Sequence, residues 1–349
     1  MKAACFKGVE QVALEILPEP ELEANGDAIV RVSMAGLCGS DLHPFWGRES
    51  GLDPGTVMGH EMVGEIVALG SHCDSLSVGD RVYAPFSTNC GACFYCLQGL
   101  TSRCEKGQLF GWQQNGFGLQ GCQSRYVRVP LASGTLKVVP EGITDQQALL
   151  LGDNLSTGFY CAEMAEVSNG GVSVVIGCGT VGLLCVLACR HLGAERIIAI
   201  DPVENRRHMA ESLGAEAFDT DGSSLKRIRE LTGNRGADAV MELVGIPAAQ
   251  ELAYQAVRPG GIMSVIGCHC TPEFGFSPGQ AYDKNLTYRT GRCPARHYMD
   301  QLTEPVRQGK FELAPFITHE FPIDECSKAY DVFANRKEDC LKAVFRFEP

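Results

Sequence analysis

The sequence predicts an α/β protein in two parts, a β-rich barrel-like unit followed by a doubly wound parallel sheet. Three observations carry this. Up to about residue 140, β-branched apolar runs are separated by loops rich in glycine and proline, with no regular helix between them. From residue 172 onward, short β-branched runs alternate with helix-like segments, the pattern of a parallel sheet covered on both faces. The chain has 349 residues, too long for one comfortable core, so about two domains are expected.

The elements follow in order. Residues 28–32 and 62–70 read as strands, and 78–83 as a turn entering a strand. Residues 127–130 and 136–140 close the β-rich segment. Helical character begins at 145–151 and continues at 158–164, with Gly152-Asp153-Asn154 between. Residues 172–176 form a strand, 183–192 a helix and 196–200 a second strand ending in Asp201. Strands at 238–244 and 261–267 flank a helix at 248–257. A helix at 298–309, a strand at 316–321, a helix at 323–335 and a strand at 343–347 complete the chain. The expected division is 1–152 for the first domain, with 296–349 returning to it, and 153–295 for the second.

Composition narrows the function classes. Hydrophobic residues make up 45% and charged residues 21%, ordinary for a globular protein. The formal net charge of −12 argues against a nucleic-acid partner, which needs a basic face. No apolar run reaches about 18 residues, so no membrane-spanning helix is expected. The first residues lack the apolar core of a signal peptide, and a cytoplasmic location is expected. In that reducing compartment seventeen cysteines, an odd number, sort into metal ligands and packing residues rather than disulfides.

Cys90, Cys93, Cys96 and Cys104 have the spacing C-x2-C-x2-C-x7-C. Four thiolates close the tetrahedral shell of a structural zinc. An iron–sulfur cluster also takes four cysteines, but the usual cluster spacing is absent. The surrounding lobe has little to build a core from, so a metal would staple it.

A second constellation is Gly36-Leu37-Cys38-Gly39-Ser40-Asp41-Leu42-His43, read with Gly59-His60-Glu61. Cysteine and histidine suit zinc, and a catalytic zinc needs three protein ligands and one open position. Cys38 and His60 supply two. The plainer alternative is a core thiol and ordinary loop histidines.

The third is Gly177-Cys178-Gly179-Thr180-Val181-Gly182, a G-x-G-x-x-G between strand and helix, with Asp201 19 positions after Gly182. This is a dinucleotide fingerprint. Gly177 permits the tight turn, Gly179 lets backbone approach a pyrophosphate at the helix N-terminus, and Gly182 lets helix and strand pack closely. Asp201 would accept hydrogen bonds from ribose hydroxyls and repel a 2′-phosphate, favouring NAD over NADP. Arg206 and Arg207 soften that preference.

Taken together, the motifs GLCGSDLH, GHE, the four-cysteine lobe, GDRV, GCGTVG with Asp201 and the terminal LKAVF resemble the zinc-dependent medium-chain alcohol dehydrogenases over essentially the whole chain. LLLGDNLSTGF, CGSDLHPFWG and NLTYRTGRCPARHY are similar to the formaldehyde-dehydrogenase-like and threonine-dehydrogenase-like branch, which does not name a substrate. The resemblance implies a GroES-like β-barrel catalytic domain and a Rossmann domain for the nicotinamide coenzyme. It implies two zincs per chain, one catalytic and one structural. It places the third catalytic ligand at Asp153, with Glu61 as rival or alternate, while a helix N-cap is the other reading of Asp153. It implies hydride transfer between an alcohol, polyol or amino alcohol and NAD. It carries proton-relay roles onto Ser40 and a solvent-facing His43, and places Lys342 near the coenzyme pyrophosphate. Asp41 is expected to orient His60. The expected partners are a small alcohol or aldehyde and further copies of the chain, as a homodimer or homotetramer. A non-catalytic nucleotide-binding or sensing protein on the same fold is the rival function. Trp46 and Trp112 are candidates for the substrate pocket or for packing. Cys268-His269-Cys270 invites a metal reading, but consecutive positions suit one tetrahedral ion poorly.

Overall fold

Residues Ala28–Gly36 form the central strand of the first unit, and its burial is nearly continuous rather than alternating. Both of its faces are covered, as expected in a barrel wall packed inside and out. The structure, a computed structural model, describes residues 1–167 and 171–348. It divides into two units, Met1–Asp153 with the segment from Pro294 onward, and Asn154–Cys293.

The first unit is built on a seven-stranded sheet. Its order is His319–Pro322, Ala343–Arg346, Ala28–Gly36, Met62–Leu69, Arg81–Tyr83 and Lys137–Val138, with Tyr126–Val129 also pairing Ala28–Gly36. Val30, Val32, Ile66, Val82, Val127 and Val129 form one core of this barrel. Within the β-rich segment the helices Leu42–Phe45, Phe94–Leu97 and Ala132–Thr135 have four residues each.

Register brings distant residues to one end of this sheet. Ala35 pairs with Met62, and Gly36 with Val344. Gly36 N donates to Glu61 O at 3.1 Å, and Leu37 N to Ala343 O at 3.0 Å. Chain segments around positions 38, 60 and 342 therefore leave the sheet side by side. Helix Asp145–Gly152 starts with a capping box, in which Thr144 and Gln147 satisfy each other's backbone N–H groups. It ends against the strand Arg81–Tyr83, where a Cβ on Gly152 would lie 2.6 Å from Ala84 O. This close approach sets the position of Asp153.

The second unit is a six-stranded, wholly parallel sheet in the order Glu216–Phe218, Arg196–Ile200, Val172–Ile176, Ala237–Glu242, Val257–Val265 and Thr287–Thr290. Strand order reverses between Val172–Ile176 and Ala237–Glu242, which creates the switch point where ligands bind in such sheets. Both outer strands lie beyond the sequence expectation. Glu216–Phe218 has three residues and Thr287–Thr290 is half polar, so neither carries a period. Helix Glu204–Ser212 was equally silent because it buries only Ala210. Among the described residues, no helix is long and apolar enough to cross a membrane.

Candidate active site and metal centres

The thiol of Cys38, the imidazole of His60 and the carboxylates of Glu61 and Asp153 each offer a donor atom, all within 4.8 Å of one another. Cys38 Sγ lies 3.8 Å from Asp153 Oδ2, which lies 3.5 Å from His60 Nε2. Asp153 caps the C-terminus of helix Asp145–Gly152 with φ −137° and ψ −64°, and the next helix, Asn154–Met164, begins at once. The break between the two helices is what presents its carboxylate to the cluster.

Asp41 holds the cluster in shape. Its Oδ1 accepts from His60 Nδ1 at 3.1 Å, and its Oδ2 from Cys38 N at 3.0 Å. With Nδ1 so occupied, His60 Nε2 keeps its lone pair for a metal. Gln123, fully buried, donates to Asp41 Oδ2 at 3.3 Å and to Gly36 O at 3.0 Å, and accepts from Tyr330 OH at 2.8 Å. Gln123 and Tyr330 carry no motif and went unread in the sequence. The only local hint is Gly59, which takes φ +85° and whose Cβ would meet Gln123 Cγ at 2.5 Å.

The electrostatics favour a cation. Burial opposes a charged imidazole, yet Asp41, with hydrogen bonds to Asp153 and Asp41, holds the His60 pKa well above its usual value. Burial raises the Cys38 thiol, and Glu61 and Asp153 add to this. A thiol, an imidazole and two carboxylates with surplus negative charge fit zinc.

Glu61 and Lys342 form a fully buried ion pair, with Lys342 Nζ at 2.6 and 2.5 Å from the two carboxylate oxygens. Lys342 is 1% exposed. The structure thus pairs this ammonium with Glu61. Ser40 Oγ lies 3.3 Å from His60 Nε2. His43 corrects an expectation: rather than facing solvent it is half-buried, and its Nδ1 has no hydrogen-bond partner. Burial and the Arg48 guanidinium lower its pKa. Trp46 carries the Arg48 guanidinium 4.3 Å above its ring, and both Trp46 and Trp112 pack on the core around Phe45. Trp46 also borders a cavity of about 650 Å³ with Lys7, Glu10 and Tyr330, whose lining includes none of the four donors.

The four sulfurs of Cys90, Cys93, Cys96 and Cys104 also lie within 4.8 Å of one another. Cys90 N donates to Cys104 Sγ at 3.2 Å and Cys93 N to Cys90 Sγ at 3.3 Å. Backbone N–H groups of Cys96 and Glu105 lower the Cys93 thiol to about 6, while burial raises Cys96 to about 12. Phe94, Leu97 and Leu100 of the lobe are exposed, so apolar packing does little to hold it.

In the second unit Gly177 takes φ +92°, and a Cβ on Gly182 would fall 1.7 Å from Gly177 O. Both positions demand glycine. Gly179 is the N-cap of helix Thr180–His191, and its Cβ would have no neighbour closer than Arg206 Nη1 at 4.0 Å. Thr180 and Val181 form the first turn, half-buried. Asp201 is buried, and its carboxylate accepts from Cys178 N at 2.7 Å and Val203 N at 2.8 Å. Arg206 Nη1 approaches it to 4.0 Å, whereas Arg207 bonds Asp201 O and Asp219. Cys268, His269 and Cys270 do not converge on one point. His269 turns to Glu242 Oε2 at 3.2 Å, and the two thiols face each other at 4.0 Å.

The family comparisons agree with this geometry. The model for the alcohol dehydrogenase GroES-like domain matches residues 24–141, and that for the zinc-binding dehydrogenase matches 180–306. The chain is 38% identical to zinc-type alcohol dehydrogenase B of Aspergillus flavus, over 99% of this chain and 81% of that protein. The chain belongs to the zinc-dependent medium-chain alcohol dehydrogenases. An alcohol dehydrogenase of Cupriavidus necator is 32% identical over 99% of this chain and 98% of its own length. Among solved structures, the alcohol dehydrogenase TADH from Thermus sp. ATN1 superposes with a TM-score of 0.94 at 35% identity, covering all of both chains. As a member of this family the protein is a zinc-dependent alcohol oxidoreductase that uses a nicotinamide coenzyme and a small-molecule substrate.

Proposed function

We propose that this alcohol dehydrogenase works at Cys38, His60 and Asp153, which hold a catalytic zinc, and that NAD is its preferred coenzyme. The observation that carries this reading is the convergence of those three donors from separate parts of the first unit. Zinc held there supplies Lewis acidity that lowers the pKa of an alcohol oxygen, and the coenzyme supplies the hydride acceptor. The residues of this chain do the rest. Ser40, beside His60, relays the alcohol proton, taking it up as its own hydroxyl proton leaves. His43, its pKa lowered, is a neutral imidazole at neutral pH and takes that proton onward. Asp41 fixes the His60 tautomer. Glu61 is the alternate ligand, held back by Lys342.

Cys90, Cys93, Cys96 and Cys104 hold a second, structural zinc. Gly177, Gly179, Thr180, Val181 and Gly182 receive the coenzyme pyrophosphate, and Asp201 the adenosine ribose. The negative charge of Asp201 supports NAD over NADP, with Arg206 moderating the choice. Thiolate ligands support a reducing, cytoplasmic setting, and the family resemblance supports a homodimer or homotetramer.

The deciding measurement is zinc per chain in freshly purified protein, followed by an alcohol panel with NAD and NADP. Two zincs and faster turnover with NAD are expected. One zinc, retained by a Cys38→Ser variant, would remove the catalytic assignment.

A further inference from the structure

We propose that Cys268 and Cys270 form a redox-reactive pair whose intramolecular disulfide weakens coenzyme binding. Cys268 is the one exposed cysteine among the described residues, and its Sγ lies 4.0 Å from Cys270 Sγ. The intervening side chain is held out of the way, because His269 Nε2 bonds Glu242 Oε2 at 3.2 Å. Glu242 is itself fully buried and fixed by Val244 N and Gly245 N, both at 2.8 Å. With the His269 side chain held at Glu242, the Cys270 thiol lies 3.9 Å from Cys268 O and 4.0 Å from Cys268 Sγ. A disulfide needs about 2 Å between sulfurs and a Cα separation below about 7 Å. Closing the sulfurs from 4.0 Å to that length takes rotation about the side-chain bonds and a tightening of the segment.

The pair sits where a small tightening is transmitted. Residues 266–270 leave the carboxyl end of strand Val257–Val265 and lie on the same sheet edge as the glycine loop that follows Val172–Ile176. Between them runs the turn 243–245. On the Cys268 side its contacts are backbone to backbone, and on the Gly177 side they run through the Val244 side chain. A Cβ on Gly245 would lie 2.4 Å from Cys268 O, and one on Gly267 would lie 2.3 Å from Gly245 N. On the far side, a Cβ on Gly177 would lie 2.6 Å from Val244 Cγ2. Groups packed this closely shift together. The link to coenzyme rests on the assignment of that glycine loop to the pyrophosphate made above.

The chemistry balances with a low-molecular-weight disulfide of the glutathione type as oxidant. The Cys268 thiolate attacks one sulfur of that disulfide, its S–S bond breaks, and one thiolate leaves. The Cys270 thiolate then attacks the Cys268 sulfur and expels the second. The pair loses two electrons, and the two thiol protons end on the two released thiols.

The test uses full-length, zinc-loaded protein equilibrated with glutathione disulfide, and then again with dithiothreitol. Peptide mass spectrometry reads the 268–270 peptide, calorimetry reads NAD affinity, and zinc content is followed so that oxidation of the four-cysteine lobe is detected. The expected result is loss of two hydrogens in that peptide, a rise of about fivefold or more in the Kd for NAD, and full reversal by dithiothreitol. Cys270→Ser should keep its NAD affinity under oxidant. A peptide that stays reduced, or that carries only bound glutathione, overturns the proposal. So does a disulfide that leaves the Kd unchanged. If the reduced protein binds no NAD, the coenzyme assignment fails instead, and the mass measurement still decides the thiol pair.

Discussion

The two donor clusters of the first unit are built on opposite plans. Cys90, Cys93, Cys96 and Cys104 fall within one short loop, are tied by backbone N–H···S bonds, and are surrounded by exposed apolar residues. Cys38, His60, Glu61 and Asp153 come from three separate stretches and are tied by side chains that are themselves buried, namely Asp41, Gln123, Tyr330 and Lys342. The loop has little apolar core of its own, so on the proposed function metal binding there would be folding energy. The open cluster is positioned by sheet register and a helix end, so its shape rests on the protein around it. On the proposed function one position of the metal there is left to substrate, and such a site needs external support because the ion cannot also be its scaffold.

Cys38→Ser and Cys96→Ser separate the two plans most sharply. The first should lower kcat/KM by about a thousandfold or more, roughly 4 kcal/mol of transition-state stabilisation, with little change in Tm. The second should leave the Cys38 cluster its zinc but destabilise the unit by about 3 kcal/mol, on the order of 6–12 °C in Tm. Kinetics paired with thermal unfolding and zinc analysis checks both. A Cys38→Ser variant that melts early while turning over normally would invert the assignment.

Asp153→Asn probes the open cluster more finely. Asparagine caps helices as well as aspartate does, so a capping role predicts unchanged zinc. A ligand role predicts a loss of about ten- to a hundredfold in zinc affinity at one site only, read by competition with a chelator.

The legibility of the sequence divides along the same line. The four-cysteine lobe was readable because its ligands are close in sequence and spacing alone constrains them. The glycine loop was readable because Gly177 and Gly182 each answer a steric demand that no other residue meets. Cys38 and His60 could be suspected but not closed into a site. Asp153 came only from resemblance, since an Asp between two helical runs looks like a cap. Gln123 and Tyr330 were invisible, because a buried hydrogen-bond partner leaves no period and no motif. The pairing of Lys342 with Glu61 was invisible for a related reason: the two are 281 positions apart, and the pairing of Gly36 with Val344 brings them together. The fold class followed from strand and helix alternation, whereas the edge strands Glu216–Phe218 and Thr287–Thr290 are too short or too polar to show one.

The finest test of the open cluster lies at Gly36, whose φ is not positive, so any constraint there is one of space. A Cβ at this position would stand 1.9 Å from Glu61 Oε2 and 2.9 Å from Glu61 Cδ. That oxygen is one of the two that grip Lys342, so it cannot retreat without loosening a buried ion pair. Gly36→Ala should therefore cost about 1–2 kcal/mol in stability and reduce turnover, with zinc content unchanged. Shortening the carboxylate makes room for the methyl group. The double variant Gly36→Ala with Glu61→Asp should recover part of the lost stability, although Glu61→Asp alone destabilises. Additive losses in this double-mutant cycle would mean that the two residues do not press on each other, and the ion pair would then need a different geometry.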